Sequence, residues 1–171
     1  MKNLLYLLLV LLLGFLFFSS SQTYEEQSLI ENLEQWLPEK PLEGSLASIQ
    51  IPYGNSIVSI EDRGYYRFIE FLIRKGAHFV LFGLVGLTWF LLLSKFKPIL
   101  LRFTISFLLT FLCACFDEYH QSITGGRTPS FHDVLLDMAG ACFFIIVYVT
   151  VRWLLSSRKK IRKHSFSYGK R

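Results

Sequence analysis

Four apolar runs decide what this chain can become: Leu4–Phe18, Ala77–Leu93, Ile99–Phe116 and Val134–Leu155. None carries the continuous polar face that a helix on a water-soluble domain needs. As a helix, Ala77–Leu93 reaches about 26 Å, close to the ~30 Å hydrocarbon layer of a bilayer. In lipid the backbone must satisfy its own hydrogen bonds, which favours helices. The expected fold is therefore an all-α integral membrane protein, a four-transmembrane-helix bundle. The first run is short unless it extends through Ser19, Ser20 and Ser21. It is long for a signal-peptide core, and no Ala-x-Ala site follows, so an uncleaved helix is the reading. The second helix is expected to begin before its apolar run, near Tyr65. The chain then divides into a first span at 1–21, a loop at 22–64, a three-span core at 65–156 and a basic tail at 157–171.

Charge supports this division and orients it. Only 18% of the residues are charged, against roughly 25% in soluble domains. The net charge of +5 is unevenly spread, because every acidic residue lies between Glu25 and Asp137. From Arg152 onward the chain has many Lys and Arg and no acid. Such a basic tail beside a hydrophobic span is explained by membrane topology without invoking nucleic acid. Lys2, the link with Lys95, Lys97 and Arg102, and the tail all fall on one side of a four-span chain. The positive-inside rule puts that side in the cytoplasm, giving a multi-pass protein of the cell membrane with both termini inside. Gln22–Arg74 and Asp117–Asp133 then face outward. Cys113, Cys115 and Cys142 lie in or beside apolar runs and read as packing residues rather than a disulfide framework.

In the first outer loop, Leu29, Ile30, Leu33, Trp36 and Leu37 share one helical face, and Pro38 ends the segment. Two readings stand: a helix packed on the protein's own spans, or one lying on the outer leaflet with Trp36 at the interface. Residues 40–55 read as irregular connection, with one short strand around Ser48–Ile51.

The chemistry lies where polar residues interrupt the spans. Arg74, Lys75 and His78 share a face at the outer end of the second helix. Asp117, His120 and Gln121 share a face at the end of the third, with Glu118 pointing elsewhere. A loop then supplies Gly125, Gly126 and Arg127, and the fourth helix opens with Asp133 and Asp137, four apart. Three helices thus deliver ionisable groups to one layer. Such groups at a membrane edge are costly and face a bundle interior or a watery cavity. The expectation is an outward-facing polar site of mixed charge. Plainer roles exist for single members. Arg74 and Lys75 suit interfacial anchoring, and Asp133 suits capping beside Ser130. Asp137 is a full turn inside its span and needs a cation partner, for which Arg74, Lys75 and Arg127 are the candidates.

Taken together, Arg74-Lys75-Gly76-Ala77-His78-Phe79, Asp117-Glu118-Tyr119-His120-Gln121, and Gly126-Arg127 followed by Asp133, Asp137 and Gly140 resemble the VanZ-like family. Phe17-Phe18-Ser19-Ser20-Ser21-Gln22 is similar to the family pattern at the end of the first helix. Two departures from it stand out: many members have Asn where Asp137 stands, and a second small residue often follows Gly140, where this chain has Phe143 and Phe144. The founding member is linked to low-level teicoplanin resistance in Gram-positive bacteria. The resemblance therefore implies a cell-envelope setting and glycopeptide tolerance, and supplies no reaction.

Two functions of different class follow. In the first, Arg74, Lys75 and Arg127 bind an anionic envelope lipid or precursor among the membrane lipids, as guanidinium matches phosphate oxygens. Asp117, Asp133 and Asp137 would hold and tune those cations, and Gln121 would join them in binding the ligand. In the second, an enzyme uses His78 and His120 as acid and base, with Asp117 or Glu118 orienting an imidazole. A variant of it places a divalent cation on Asp117, His120, Asp133 and Asp137. The sequence offers no cofactor site. A third reading leaves the cluster purely structural, as polar glue between helices.

Overall fold

The computed structural model describes residues 2–54, 56–124 and 130–168, with side chains described as far as Ser157. The element order is α1 (Lys2–Ser20), α2 (Ile30–Trp36), α3 (Glu43–Leu46), β1 (Ile51–Tyr53), β2 (Ser56–Val58), α4 (Ile60–Arg63), α5 (Tyr65–Leu92), a 3-10 turn at Leu93–Lys95, α6 (Ile99–Thr124) and α7 (Phe131–Tyr168). Among the described residues, four helices are long and apolar enough to cross a membrane. The chain is a helical integral membrane protein built as a four-helix bundle, as the apolar runs predict.

The packing is that of a protein dissolved in lipid. Large apolar side chains point outward, among them Leu11 and Phe18 of α1, Leu108 and Leu112 of α6, and Phe143 and Ile146 of α7. The interior includes Thr88, Ser106 and Thr110. Each of these hydroxyls donates to a carbonyl of its own helix: Thr88 to Leu84, Ser106 to Phe103 and Thr110 to Ser106. Small hydroxylated residues let helices approach while leaving no donor stranded in hydrocarbon.

α5 is the central helix, packed on α7, α6 and α1 and, beyond the bundle, on α2 and α4. Close approach to α7 requires glycine. A Cβ on Gly140 would fall 2.1 Å from the backbone oxygen of Phe79, and one on Gly86 would fall 2.7 Å from the Cβ of Ala141. Lipid tails are as apolar as leucine, so burial alone does not drive helices together in a membrane. Close van der Waals contact at small residues contributes instead.

The α5 candidate span, taken with the following turn, runs 31 residues over Tyr65–Lys95. At 1.5 Å per residue it is about 46 Å long, some 16 Å more than the hydrocarbon thickness. Its first turns therefore project past the apolar layer and carry the segment between α1 and α5. Four contacts hold that segment. Tyr65 donates to the Pro41 carbonyl at 2.8 Å, and Tyr66 to that of Leu37 at 3.1 Å. Fully buried Glu70 accepts from the Leu29 amide at 2.9 Å and the Tyr24 hydroxyl at 3.2 Å.

This segment departs in detail from the sequence expectation. The single strand at Ser48–Ile51 is instead an antiparallel hairpin of β1 and β2, with Ile51 opposite Val58 and Tyr53 opposite Ser56. Gly54 turns it at φ 62°, a conformation open to glycine that disfavours side chains. The supposed irregular stretch also contains α3. The loop helix exists, shorter than its apolar pattern, and packs on α5 with Leu33 buried and Trp36 exposed. Cys113, Cys115 and Cys142 are free thiols.

The Gly140 contact generates a prediction. At Gly140 the obstacle is backbone, which cannot rotate away, so Gly140→Ala should destabilise the bundle by about 1–3 kcal/mol. Gly14, where a Cβ would meet nothing within 4 Å, is the matched control. Unfolding in mixed detergent micelles should separate the two variants; equal stability would remove close α5–α7 packing as a requirement.

Candidate functional site

The site is built along the first turns of α5. Helical spacing places Glu70, Arg74 and His78 one above the other, with Lys75 beside them. Arg74 pairs with Glu70 at 2.9 Å. It also donates to the Gln27 side chain at 3.2 Å and the Tyr24 carbonyl at 3.4 Å, with its guanidinium 4.6 Å from the Tyr24 ring centre. Arg74 and Glu70 thereby fasten the chain after α1 to α5.

Lys75 reaches α7 and forms an ion pair with Asp133. Tyr53, from the hairpin, donates its hydroxyl to the same carboxylate. The lysine also lies 4.7 Å from the Tyr53 ring centre. Burial, and after it the hydrogen bond and charge of Asp133, push the Tyr53 phenol well above its ordinary range. It stays protonated and keeps donating at any physiological pH. Asp133 therefore joins a helix, a hairpin and a neighbouring helix, which is more than the capping role its position suggests.

One turn deeper, His78 places Nδ1 3.4 Å from Oδ1 of Asp137. Asp137 is completely buried, and neither of its oxygens has a hydrogen-bond partner among the described residues. The partner expected for Asp137 was Arg74, Lys75 or Arg127. The structure gives Arg74 to Glu70 and Lys75 to Asp133, and leaves a histidine facing Asp137.

α6 contributes a second wall. Asp117 accepts from the Ser20 hydroxyl of α1 and from the Gln121 amide at 2.7 Å. Thr124 donates to the Ser20 carbonyl at 2.6 Å. These bonds clasp the end of α1 to the end of α6. Glu118 accepts from the Ser130 backbone amide at 2.8 Å, ahead of α7.

Together these elements enclose a cavity of about 1160 Å³ at one end of the bundle. Among the expected residues, Arg74, Lys75, His78, Asp117, Glu118, Gln121 and Asp133 line it. Asp137 lies behind His78. Arg127 is outside the described residues. Glu118, set apart from Asp117 by helical spacing, lines the cavity because α6 is approached on two sides, by α1 and by the start of α7. His120 does not line it. Its ring stacks on Phe17 at 4.6 Å and on Phe116 at 6.0 Å, in an apolar groove between α1 and α6. The expected pairing of His78 with His120 as acid and base is therefore not assembled, and the acid beside an imidazole is Asp137 rather than Asp117 or Glu118.

The residues of the divalent-cation variant are not brought together either. Among the described residues no three His, Cys, Asp or Glu side chains gather as a metal site. Asp133 is engaged by Lys75 and Tyr53, and His120 faces another groove.

Several lining residues were not singled out from the sequence: Tyr24, Gln27, Tyr53, Arg63, Arg67 and Glu70. Glu70 had a readable signal, since it stands four residues before Arg74. Tyr53 had none, because its place depends on the hairpin.

The Lys75–Asp133 pair is mostly shielded, with side chains 24% and 16% exposed. Removing one partner of such a pair strands the other. Lys75→Met and Asp133→Asn should each destabilise the protein, and the double variant should recover about 1–3 kcal/mol of the sum. A double-mutant cycle in detergent measures this coupling; additive effects would show that the pair does not hold the hairpin to the bundle.

Neither the curated proteins nor the solved structures gave a match. The VanZ/LLP1 family model matches residues 5–154. That stretch takes in most of α1, all of α5 and α6, the described cavity residues and most of the membrane-crossing part of α7. The chain belongs to the VanZ/LLP1 family.

Proposed function

We propose that this protein recognises an anionic lipid, or a lipid-linked envelope precursor, by its head group at the outer leaflet of the cell membrane. The observation that carries the reading is the cavity at the projecting end of α5, with Arg63, Arg67, Arg74 and Lys75 in its lining. Arg74 and Lys75 each have a carboxylate already, so they hold the wall in shape. Arg67 is exposed and has no acid within ion-pair distance among the described residues. Arg63 meets the exposed Asp62 at 3.8 Å, a pairing of little worth in water, and otherwise the neutral Ser56 hydroxyl at 3.4 Å and the Phe71 ring at 5.7 Å. These two guanidinium groups are therefore the ones available to a phosphate or carboxylate.

The outward orientation rests on the basic link and tail, Lys95, Lys97, Arg102 and the Lys/Arg residues after Arg152, which by the positive-inside rule favour cytoplasmic termini. Teicoplanin tolerance, the phenotype the family resemblance implies, would arise indirectly, through the envelope lipid that the protein holds or displays.

Vesicle titration of the full chain tests the reading. Wild type should bind phosphatidylglycerol vesicles more tightly than phosphatidylcholine vesicles. The double variant Arg63→Gln, Arg67→Gln should lose about tenfold of that affinity, or about 1.4 kcal/mol, with its fold intact. Equal binding of both vesicle types by wild type would sink the proposal. In a Gram-positive host the wild-type chain should raise teicoplanin tolerance, and the double variant at equal protein level should not. Full protection by that variant would detach tolerance from the head-group site.

A further inference from the structure

The cavity is polarised. Arg63 and Arg67 are exposed at its outer rim, whereas Asp117 and Glu118 are buried in its depth, at 5% and 6% exposure. From Arg67 to His78 the α5 helix rises about 16 Å, so basic rim and acidic floor are separated along the membrane normal. A ligand recognised only through an anion would use the rim and leave the carboxyl groups behind it without a partner.

The floor calls for hydrogen-bond donors. An unprotonated carboxyl oxygen accepts. Asp117 already accepts from Ser20 and Gln121 on its two oxygens. Glu118 differs: Oε2 accepts from the Ser130 amide, and no partner falls on Oε1 among the described residues. That oxygen is not among the sealed buried atoms, and its side chain lines the cavity. Phe131 adds a second feature. Its ring lines the cavity, is 63% exposed, and has no ring or cation against it among the described residues. By contrast the Tyr24 and Tyr53 rings are already covered by Arg74 and Lys75. An open carboxyl oxygen and an open aromatic face in one cavity suit a sugar, whose hydroxyls donate and whose C–H face packs on an aromatic ring.

We infer that the ligand is an anionic glycolipid: a sugar at the membrane edge donating hydroxyls to Glu118, with an acidic group beyond it against Arg67 and Arg63. This rests on the anionic-lipid reading above and narrows it to one class. The order matters, because the sugar must lie nearer the hydrocarbon than the acid does. A simple phospholipid offers the reverse order, or no hydroxyls at all.

Three lipids in phosphatidylcholine nanodiscs separate the possibilities for the full chain: glucuronosyl diacylglycerol, uncharged glucosyl diacylglycerol, and phosphatidic acid. Wild type should bind the glucuronosyl lipid at least tenfold more tightly than either other lipid. Glu118→Gln should lose at least fivefold on both sugar lipids and nothing on phosphatidic acid. Arg67→Gln should lose on both acidic lipids and nothing on the glucosyl lipid. Phosphatidic acid binding as tightly as the glucuronosyl lipid would overturn the sugar assignment, and so would a Glu118→Gln loss equal on all three. The wild-type ranking tests the inference even if Glu118→Gln fails to fold. If phosphatidic acid binds no better than the phosphatidylcholine background, the anion reading itself fails, whatever the sugar lipids do.

Discussion

A charged side chain near hydrocarbon is stable only if the protein supplies the hydrogen bonds and countercharges that water would otherwise provide. Four acids of this chain, Glu70, Asp117, Glu118 and Asp137, are buried at one end of the bundle. Meeting their needs decides much of the architecture around them. Glu70 takes Arg74 and the chain after α1. Asp117 takes Ser20 and so draws in α1. Glu118 takes the backbone ahead of α7. Asp133, less deeply placed, takes Lys75 and the hairpin. Each acid ties a different element to α5 or α6, so the polar end of the bundle is the point where the separate parts of the chain are joined.

The opposite requirement shapes the rest of the bundle. Below the polar layer the helices have little to gain from apolar burial, since lipid offers the same environment. They meet through absence of side chains, at Gly86 and Gly140, and through hydroxyls that satisfy themselves on their own helices. The two regimes meet near His78 and Asp137. There a completely buried carboxylate faces an imidazole at 3.4 Å, and the pair marks the inner limit of the polar end.

The apolar runs made the four helices legible, because a span has one dominant requirement and it shows in composition. The start of α5 near Tyr65 was legible too. The residues of the cavity were readable as a layer, since Arg74, Lys75, His78, Asp117, Glu118 and Asp133 fall at helix ends on one side. Their pairing was not. Helical spacing describes one helix at a time, so it could not tell that Asp137 would face His78, or that His120 would turn into the α1–α6 groove. The hairpin was missed for a related reason: its turn is short, its strands are three residues each, and what stabilises it is Tyr53 on Asp133, eighty residues away. Arg63 and Arg67 gave no signal of their own, because exposed arginines before a span look like ordinary interfacial residues.

The central claim is that the polar end of the bundle holds a lipid head group. A photoreactive anionic lipid, crosslinked to the protein in membranes and mapped by peptide sequencing, tests it most directly. The account predicts that adducts made by a head-group probe concentrate on cavity-lining residues such as Tyr24, Phe71 and Phe131. Adducts spread instead over the lipid-facing surface, on Leu108, Phe143 and Ile146 as often as on the cavity, would contradict it.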